Sequence, residues 1–531
     1  MKKLPIGIQT FSELILKNYI YIDKTNVIHN LITQGKVYFL ARPRRFGKSL
    51  LISTLQAVLE GKRELFKGLA IDKLDYDWTA RPVVRIDFSG INRDTPEKFV
   101  ADLRTYLINE ANQYNILVDQ YAPPSSIFRT LVSGIYAQHG PVALLVDEYD
   151  KPILDHLKNP EVAEQMRTAL RSFYDVFKYL DEYLCFVFIT GVSKFTQTSL
   201  FSGLNNLNDL SGHPKAATVC GYTKAELSEN FQEHLEVMAK SRKSSVANLI
   251  QEFETWYNGY SFTWGMPKIF NPFSVLSAFD LQEFENFWMR TGTPNFLATM
   301  FKNQNPVPQL DQHLRVKKDD LVIVDLEKLS LIPMLVQTGY LTIVGQDEDG
   351  CIIDFPNQEV SRSYMLWGLA GTFSKESTDI RSLGIILRKA LKKQDFDAFF
   401  NQLIPMFASI PFDIQVGDRE KYYQSIIYLL FLLVGIDMGV EISTNIGSID
   451  ALIKTDDAII IFEYKLRDTA QAAQAALDQI KDKKYYERFL QSGKKIILVG
   501  VQFSMQERNI VSWLVDECGI NSSMDPRSSR G

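Results

Sequence analysis

Two groups of residues have the types and spacing to act on phosphate chemistry. The first is Arg42-Pro43-Arg44-Arg45-Phe46-Gly47-Lys48-Ser49, set between the apolar run VYFL and the amphipathic stretch SLLISTLQAVLE. In a strand, loop and helix of this kind, backbone N–H groups at the helix N-terminus surround phosphate oxygens. A lysine reaches the terminal phosphates and a hydroxyl binds Mg²⁺. Lys48 and Ser49 stand at those two positions, and Arg45 and Gly47 belong to the same loop. Arg42 occupies the place of the first glycine in the common GxxxxGK[ST] pattern, so the left-handed turn that glycine permits is not expected there. Alone, the stretch also reads as a solvated arginine cluster at a helix entry.

A second stretch supports the phosphate reading. Val142 to Val146 is an apolar strand ending in Asp147 and Glu148. Asp147 would hold Mg²⁺ and Glu148 would polarise an attacking water, where the bland alternative has both acids solvating a turn. A third apolar strand, Leu184 to Thr190, runs into Gly191-Val192-Ser193-Lys194. Thr190 or Ser193 could sense a γ-phosphate there, or merely cap the strand. No arginine finger is assigned, since Arg42, Arg44, Arg45 and Arg171 are all open choices.

The other group is Asp450 with Glu463-Tyr464-Lys465, on two strands flanking Asp456-Asp457. If those two aspartates form a two-residue turn, Asp450 lies directly opposite Glu463, with Cβ atoms about 4.5–5.5 Å apart. One divalent ion could then bind both carboxylates. Lys465 points to the same face as Glu463, where it could orient a water or stabilise developing phosphorane charge. A longer loop would shift this register. The competing reading is a surface ion pair between Glu463 and Lys465, but Ile459 to Phe462 read as a buried strand. Charges at the end of such a strand are costly unless paired or metal-bound. In the following helix Ala473, Ala476, Leu477 and Ile480 form an apolar stripe. Gln479, Lys483 and Tyr486 share another face, which could reach the metal water or a DNA phosphate. Lys481, Lys483, Lys484, Arg488, Lys494 and Lys495 make the region locally basic, as a nucleic-acid contact or a solvated helix face would be. Glu420, at the start of an upstream helix, could add a carboxylate or simply suit the helix dipole.

The elements that position these groups divide a chain of 531 residues, too long for one core, into several units. Strands and helices alternate through residues 36–198, which predicts a parallel α/β sheet within an N-terminal core over 1–214. A helical, aromatic stretch over 215–300 reads as a lid and 301–395 as connecting structure. Residues 396–518 read as a second α/β domain, and 519–531 as a disordered tail. The composition, 46% hydrophobic and 23% charged, is that of globular domains. A net charge of −5 gives no global attraction to nucleic acid. Cys185, Cys220, Cys351 and Cys518 have no metal or disulfide spacing, and the longest apolar run, Ile426 to Ile436, is about half a membrane span. A cytoplasmic protein without a membrane segment is expected.

YIDKT (Tyr21 to Thr25), RPRRFGKS, LLVDEYD, FITGVSKF, WYNGYSF, NPFS and FPNQEV, followed by SIDALIK and IFEYKL, occur in one order from about residue 4 to residue 504. In this the chain resembles bacterial AAA-ATPase-like proteins fused to a C-terminal PD-(D/E)XK nuclease domain, whose own loop has the form RPRRFGKS. The resemblance implies a P-loop ATPase parallel sheet with a helical lid, and a C-terminal PD-(D/E)XK-type α/β nuclease fold. It implies ATP and Mg²⁺ at Lys48, Ser49 and Asp147, and a nuclease site at Asp450, Glu463 and Lys465 that would accept Mg²⁺ or Mn²⁺. Nucleic acid, DNA before RNA, is the implied partner, and a homo-oligomer is left open. Similar proteins read GRIDL and YYHS where this chain has Gly447-Ser448-Ile449-Asp450 and Tyr422-Tyr423-Gln424-Ser425; a lost arginine would weaken DNA contact without touching the metal site. An ATP-gated nuclease is the first expectation. The alternatives are an ATP-dependent switch whose nuclease-like domain only binds nucleic acid or a partner, and a remodeller that uses this domain for assembly.

Overall fold

Runs rich in β-branched, aromatic and other apolar residues become four strands of the first sheet, β1 (Val37–Ala41), β2 (Val83–Asp87), β3 (Val142–Asp147) and β4 (Leu184–Gly191), and a short polar strand, β5 (Asn208–Asp209), completes it. Every residue of β1 and β3 is buried. The computed structural model describes residues 1–194, 200–201, 206–288, 314–321, 331–373, 375–410, 423, 426–427, 429–434, 442–443, 450–455 and 457–518. The strand order is β2-β3-β4-β1-β5, with all neighbours parallel. The loop after β1, the acids after β3 and the polar residues after β4 therefore leave the sheet at one edge, where open α/β sheets bind ligands. Helix Lys48–Leu59 follows β1 and buries Leu51, Ile52, Leu55 and Val58, packing on β3 and β4.

The helical stretch expected as a lid consists, among the described residues, of helices Lys224–Asn230, Gln232–Ser241, Val246–Tyr257 and Pro272–Leu281. Thr223 and Glu226 form a capping box at the first of them. Asn271 caps the last by accepting from the Phe273 and Ser274 amides, with Pro272 at a position that needs no N–H. Their shared core includes Phe231, Phe253, Tyr257 and Phe279, and Ile20 and Ile22 of the N-terminal segment join it. A two-stranded pair, β6 (Tyr222–Thr223) with β7 (Ile269–Phe270), brackets the first three of these helices. β8 (Leu314–Val316), β9 (Thr342–Asp347) and β10 (Gly350–Asp354) form a small antiparallel sheet in the order β8-β10-β9. The described residues fall into two compact units: those up to Trp288 together with those from Leu314 to Ser361, and those from Arg362 onward.

The second unit contains a mixed sheet, β11 (Ile442–Ser443), β12 (Ala451–Lys454), β13 (Ala458–Leu466), β14 (Lys495–Ser504) and β15 (Asn509–Cys518), in that spatial order. Only β13 and β14 pair in parallel, and helix Ala472–Asp482 makes the crossover between them. Its stripe of Ala473, Ala476, Leu477 and Ile480 is buried. Phe396, Phe399, Phe431 and Phe462 pack as an aromatic cluster.

Gly500 on β14 fixes the distance between sheet and helix. A Cβ there would stand 2.4 Å from the Ala473 carbonyl oxygen and 2.6 Å from the Leu477 amide nitrogen, both backbone atoms that cannot swing aside. Gly500→Ala is thus expected to destabilise this unit by about 1–3 kcal/mol, the usual range for overpacking, measured as a lower denaturation midpoint for the unit's own transition.

Candidate functional site

The loop from Arg42 to Gly47 carries β1 into its helix, with left-handed backbone at Arg45 (φ 69°) and Gly47 (φ 90°). Arg42 has no such turn. Its side chain is only 1% exposed and donates to the carbonyls of Ala41 (2.9 Å), Ser211 (2.8 Å) and Ala216 (2.9 Å), lying 4.1 Å over the Phe262 ring. This arginine is a buried strut, and the reading of the stretch as a solvated cluster fails at it. Burial pushes its pKa down to about 10, still charged at neutral pH.

Lys48 is buried, and its ammonium donates to the carbonyls of Arg42 and Pro43, each at 3.0 Å. Burial lowers its pKa, opposed by Glu148, Asp147 and Asp150. Asp147 is 1% exposed; burial raises its pKa, while the neighbouring Ser49 hydroxyl and the charge of Lys48 oppose the rise. Its Oδ1 accepts the Glu148 amide, and its buried Oδ2 has no hydrogen-bond partner, with Arg85 Nη2 at 3.9 Å. Glu148, half-buried, sits in left-handed backbone (φ 52°), a conformation that non-glycine residues hold at some cost and usually at functional turns. An orphaned carboxylate oxygen beside a serine hydroxyl and a lysine suits a magnesium nucleotide.

Thr190 donates to the Leu40 carbonyl at 2.8 Å, and the Ser193 hydroxyl donates to Asp150 at 2.6 Å. Asp150 also accepts the Val192 and Ser193 amides, which makes it the anchor of the β4 end. Sequence reasoning missed this residue, because the last acid of DEYD looks like a solvated turn. It missed as well a cavity of about 70 Å³ beside the loop, walled by Phe46, Gly47 and Leu51 on one side and by Tyr21, Ile22, Cys220 and Tyr222 on the other. YIDKT builds that wall: Asp23 accepts the amides of Thr25 and Ala70, and Lys24 pairs with Glu226 at 2.5 Å. The signal was present in the motif, without a partner to interpret it.

In the second unit the pairs run from Ala451↔Phe462 to Lys454↔Ile459 and continue into Thr455 N–H to Ala458 carbonyl at 2.8 Å, the register of a two-residue turn. One step further along it Asp450 stands opposite Glu463, and its Oδ2 accepts the Tyr464 amide at 2.7 Å. Glu463 is 2% exposed. Lys465 donates to its Oε1 at 3.3 Å, and Gln479 joins the two by donating to Glu463 and accepting from Lys465. Burial, with Asp450 close by, pushes Glu463 up to about 7 against the pull of Lys465; burial likewise raises Asp450. The Glu463 Oε2 atom is buried without a partner. Two adjoining carboxylates, one with a free lone-pair face, fit a divalent cation. Among the described residues no cluster of three or more acidic, His or Cys ligands forms. Glu420 and Asp456 lie outside the described residues, as do Tyr422, Gln424, Ser425 and Gly447 to Ile449.

The helix face expected for Gln479, Lys483 and Tyr486 does not extend that far. The helix ends at Asp482, Lys484 turns left-handed (φ 53°), and Tyr486 packs instead beside the apolar cluster of Leu477, Ile480 and Ile496. The basic stretch is also largely matched within the chain. Lys481 pairs with Asp516 (2.5 Å), Lys495 with Glu517 (2.5 Å) and Lys484 with Glu487 (3.1 Å), while Lys494 donates to the Thr455 carbonyl.

The family described as Predicted AAA-ATPase matches residues 5–201, and the PD-(D/E)XK nuclease superfamily matches residues 418–513. A curated relative, an uncharacterized protein in the vnfD 5' region of Azotobacter chroococcum mcd 1, is 37% identical over 535 residues, covering 98% of this chain and 99% of the relative. Among solved structures, the Aeropyrum pernix ORC1 protein in complex with DNA aligns with 66% of this chain and 95% of its own at 9% identity and a TM-score of 0.26, too loose a likeness to argue from. No described helix is long and apolar enough to cross a membrane. With both family matches in the expected order and a relative alike along nearly its whole length, this chain belongs to the family of predicted AAA-ATPase proteins that carry a PD-(D/E)XK nuclease superfamily domain.

Proposed function

We propose that the chain binds and hydrolyses ATP and that its nucleotide state gates metal-dependent cleavage of nucleic acid, DNA in the first instance. One observation carries the reading: each candidate site holds a buried carboxylate with an unpartnered oxygen close to a lysine, Asp147 with Lys48 and Glu463 with Lys465. Such an arrangement is costly in a protein that never binds a cation there.

At the first site Lys48 exchanges the Arg42 and Pro43 carbonyls for the terminal phosphates, and loop amides around Arg45 and Gly47 hold the remaining phosphate oxygens. Ser49 and Asp147 hold Mg²⁺, and Glu148 orients the attacking water. The base enters the cavity between Tyr21 and Tyr222. Ser193 acts through Asp150, which fixes the strand end facing the phosphates. At the second site Asp450 and Glu463 hold Mg²⁺ or Mn²⁺, which supplies a Lewis acid for the phosphodiester. Lys465 donates hydrogen bonds to the incoming water or to the developing charge, and Gln479 keeps Lys465 and Glu463 in register.

Lys48→Ala is expected to weaken MgATP binding at least a hundredfold by calorimetric titration; unchanged binding would remove the ATPase assignment. Asp450→Ala and Lys465→Ala are expected to abolish Mg²⁺- or Mn²⁺-dependent cutting of single- or double-stranded DNA, assayed with and without ATP. Cutting by Asp450→Ala at the wild-type rate sinks the nuclease site. Binding of DNA by wild type without any cutting instead supports the switch that only binds.

Glu463 also predicts a pH dependence. Its carboxyl is held at about 7 in the folded, metal-free protein, above its value in the unfolded chain. The folded state therefore keeps the extra proton, and stability from this group is lost as pH rises from the unfolded value through about 7. Cation binding must expel that proton, so Mn²⁺ affinity should rise between pH 6 and pH 8. Glu463→Gln should raise the metal-free melting temperature at pH 8 and leave it nearly unchanged at pH 4.5; a flat affinity profile would contradict the assignment.

A further inference from the structure

WYNGYSF, NPFS and FPNQEV supply nothing to either site's chemistry, yet the first two touch the phosphate loop and the third braces them from behind. Phe46 meets the Tyr260 ring edge-on at 4.8 Å, and Arg45 lies 4.9 Å over Phe273. The indole N–H of Trp288 donates to the Arg44 carbonyl at 3.1 Å. The backbone amide of Trp288 in turn donates to Glu359 Oε1 at 2.8 Å, and the Ser274 hydroxyl donates to Glu359 Oε2 at 2.8 Å. Glu359 is fully buried, and the Phe287 amide is a further donor to it. Asn357, from the same motif, donates to the Asn258 carbonyl at 2.7 Å, so the motifs brace one another.

We infer that Trp288 and Glu359 are positioning residues for the phosphate loop. This rests on the ATP reading of that loop and extends it to residues more than 200 positions away in sequence. In a trans peptide the carbonyl of one residue and the N–H of the next point in opposite directions, and no described peptide is cis. Holding the Arg44 carbonyl on Trp288 therefore aims the Arg45 amide to the other side of the loop. Arg45 sits in left-handed backbone, which persists only where the surroundings over-determine it. The Trp288 hydrogen bond fixes one side of this residue and the Phe273 ring holds its side chain. Glu359 acts one step further back by fixing the Trp288 backbone from which the indole projects.

The test compares MgATP dissociation constants, by calorimetry on the full-length chain, with nucleotide-free melting temperatures. Trp288→Phe keeps a buried ring and loses only the N–H donor. It is expected to weaken MgATP about tenfold, the effect of one lost buried hydrogen bond, with a melting temperature within about 4 °C of wild type. Glu359→Ala is expected to weaken MgATP at least as much, whereas Glu359→Gln, which keeps an acceptor for the Trp288 amide, binds within threefold of wild type. The Trp288→Phe, Glu359→Ala double variant should bind no more weakly than the worse single one, because both act along one line. Should Trp288→Phe not fold, the two Glu359 variants decide. Wild-type affinity in Trp288→Phe, or equal loss in Glu359→Gln and Glu359→Ala, overturns the positioning role while the ATP site stands. A wild-type protein that binds no MgATP overturns both.

Discussion

Charge placed at the end of a buried strand is the constraint on which the rest of this molecule turns. Asp147 closes a strand with no exposed residue, and Glu463 follows five buried residues of its own. Water cannot solvate either group, so each is supported from neighbouring elements: Ser49 and Lys48 for the first, Lys465 and Gln479 for the second. Support stops one oxygen short in both places. The parallel order of the first sheet and the glycine at position 500 in the second are the geometric means of bringing that support close enough.

What could be read from the sequence followed from short-range rules. Strand, loop and helix around Lys48 are local, and so is the pairing of Asp450 with Glu463, because a two-residue turn fixes every partner before it. That Gln479 shares a face able to reach the metal water or a DNA phosphate could be read from the helical repeat alone. The same repeat misplaced Tyr486, since nothing local announced that Lys484 would turn left-handed and end the helix. The role of Arg42 stayed open for the opposite reason. A basic residue next to two more arginines reads as solvated, and its true partners, Ser211, Ala216 and Phe262, come from distant parts of the chain.

The lysines at and beyond the end of helix Ala472–Asp482 show how a one-dimensional count of charge can mislead. Counted along the chain they form a basic stretch, but Asp516 and Glu517 on β15 sit against Lys481 and Lys495. What remains for a polyanion is smaller than composition suggests, with Lys483 and Arg488 left among the exposed cations of that stretch. Exposed pairs of this kind contribute little stability and are readily screened, so an approaching phosphate backbone could displace them at modest cost.

The buried guanidinium of Arg42 has a consequence for how the protein is made. The candidate residues of the first site are all synthesised by Ser193, yet two of the three carbonyls that hold Arg42 belong to Ser211 and Ala216, the ring beneath it to Phe262, and the indole bonded to the Arg44 carbonyl to Trp288. A chain emerging from the ribosome thus carries every recognisable motif residue of that site long before it can shape the loop. The carboxylate of Glu359 arrives later still. The full network around the loop is thus present only after about two-thirds of the chain has been translated.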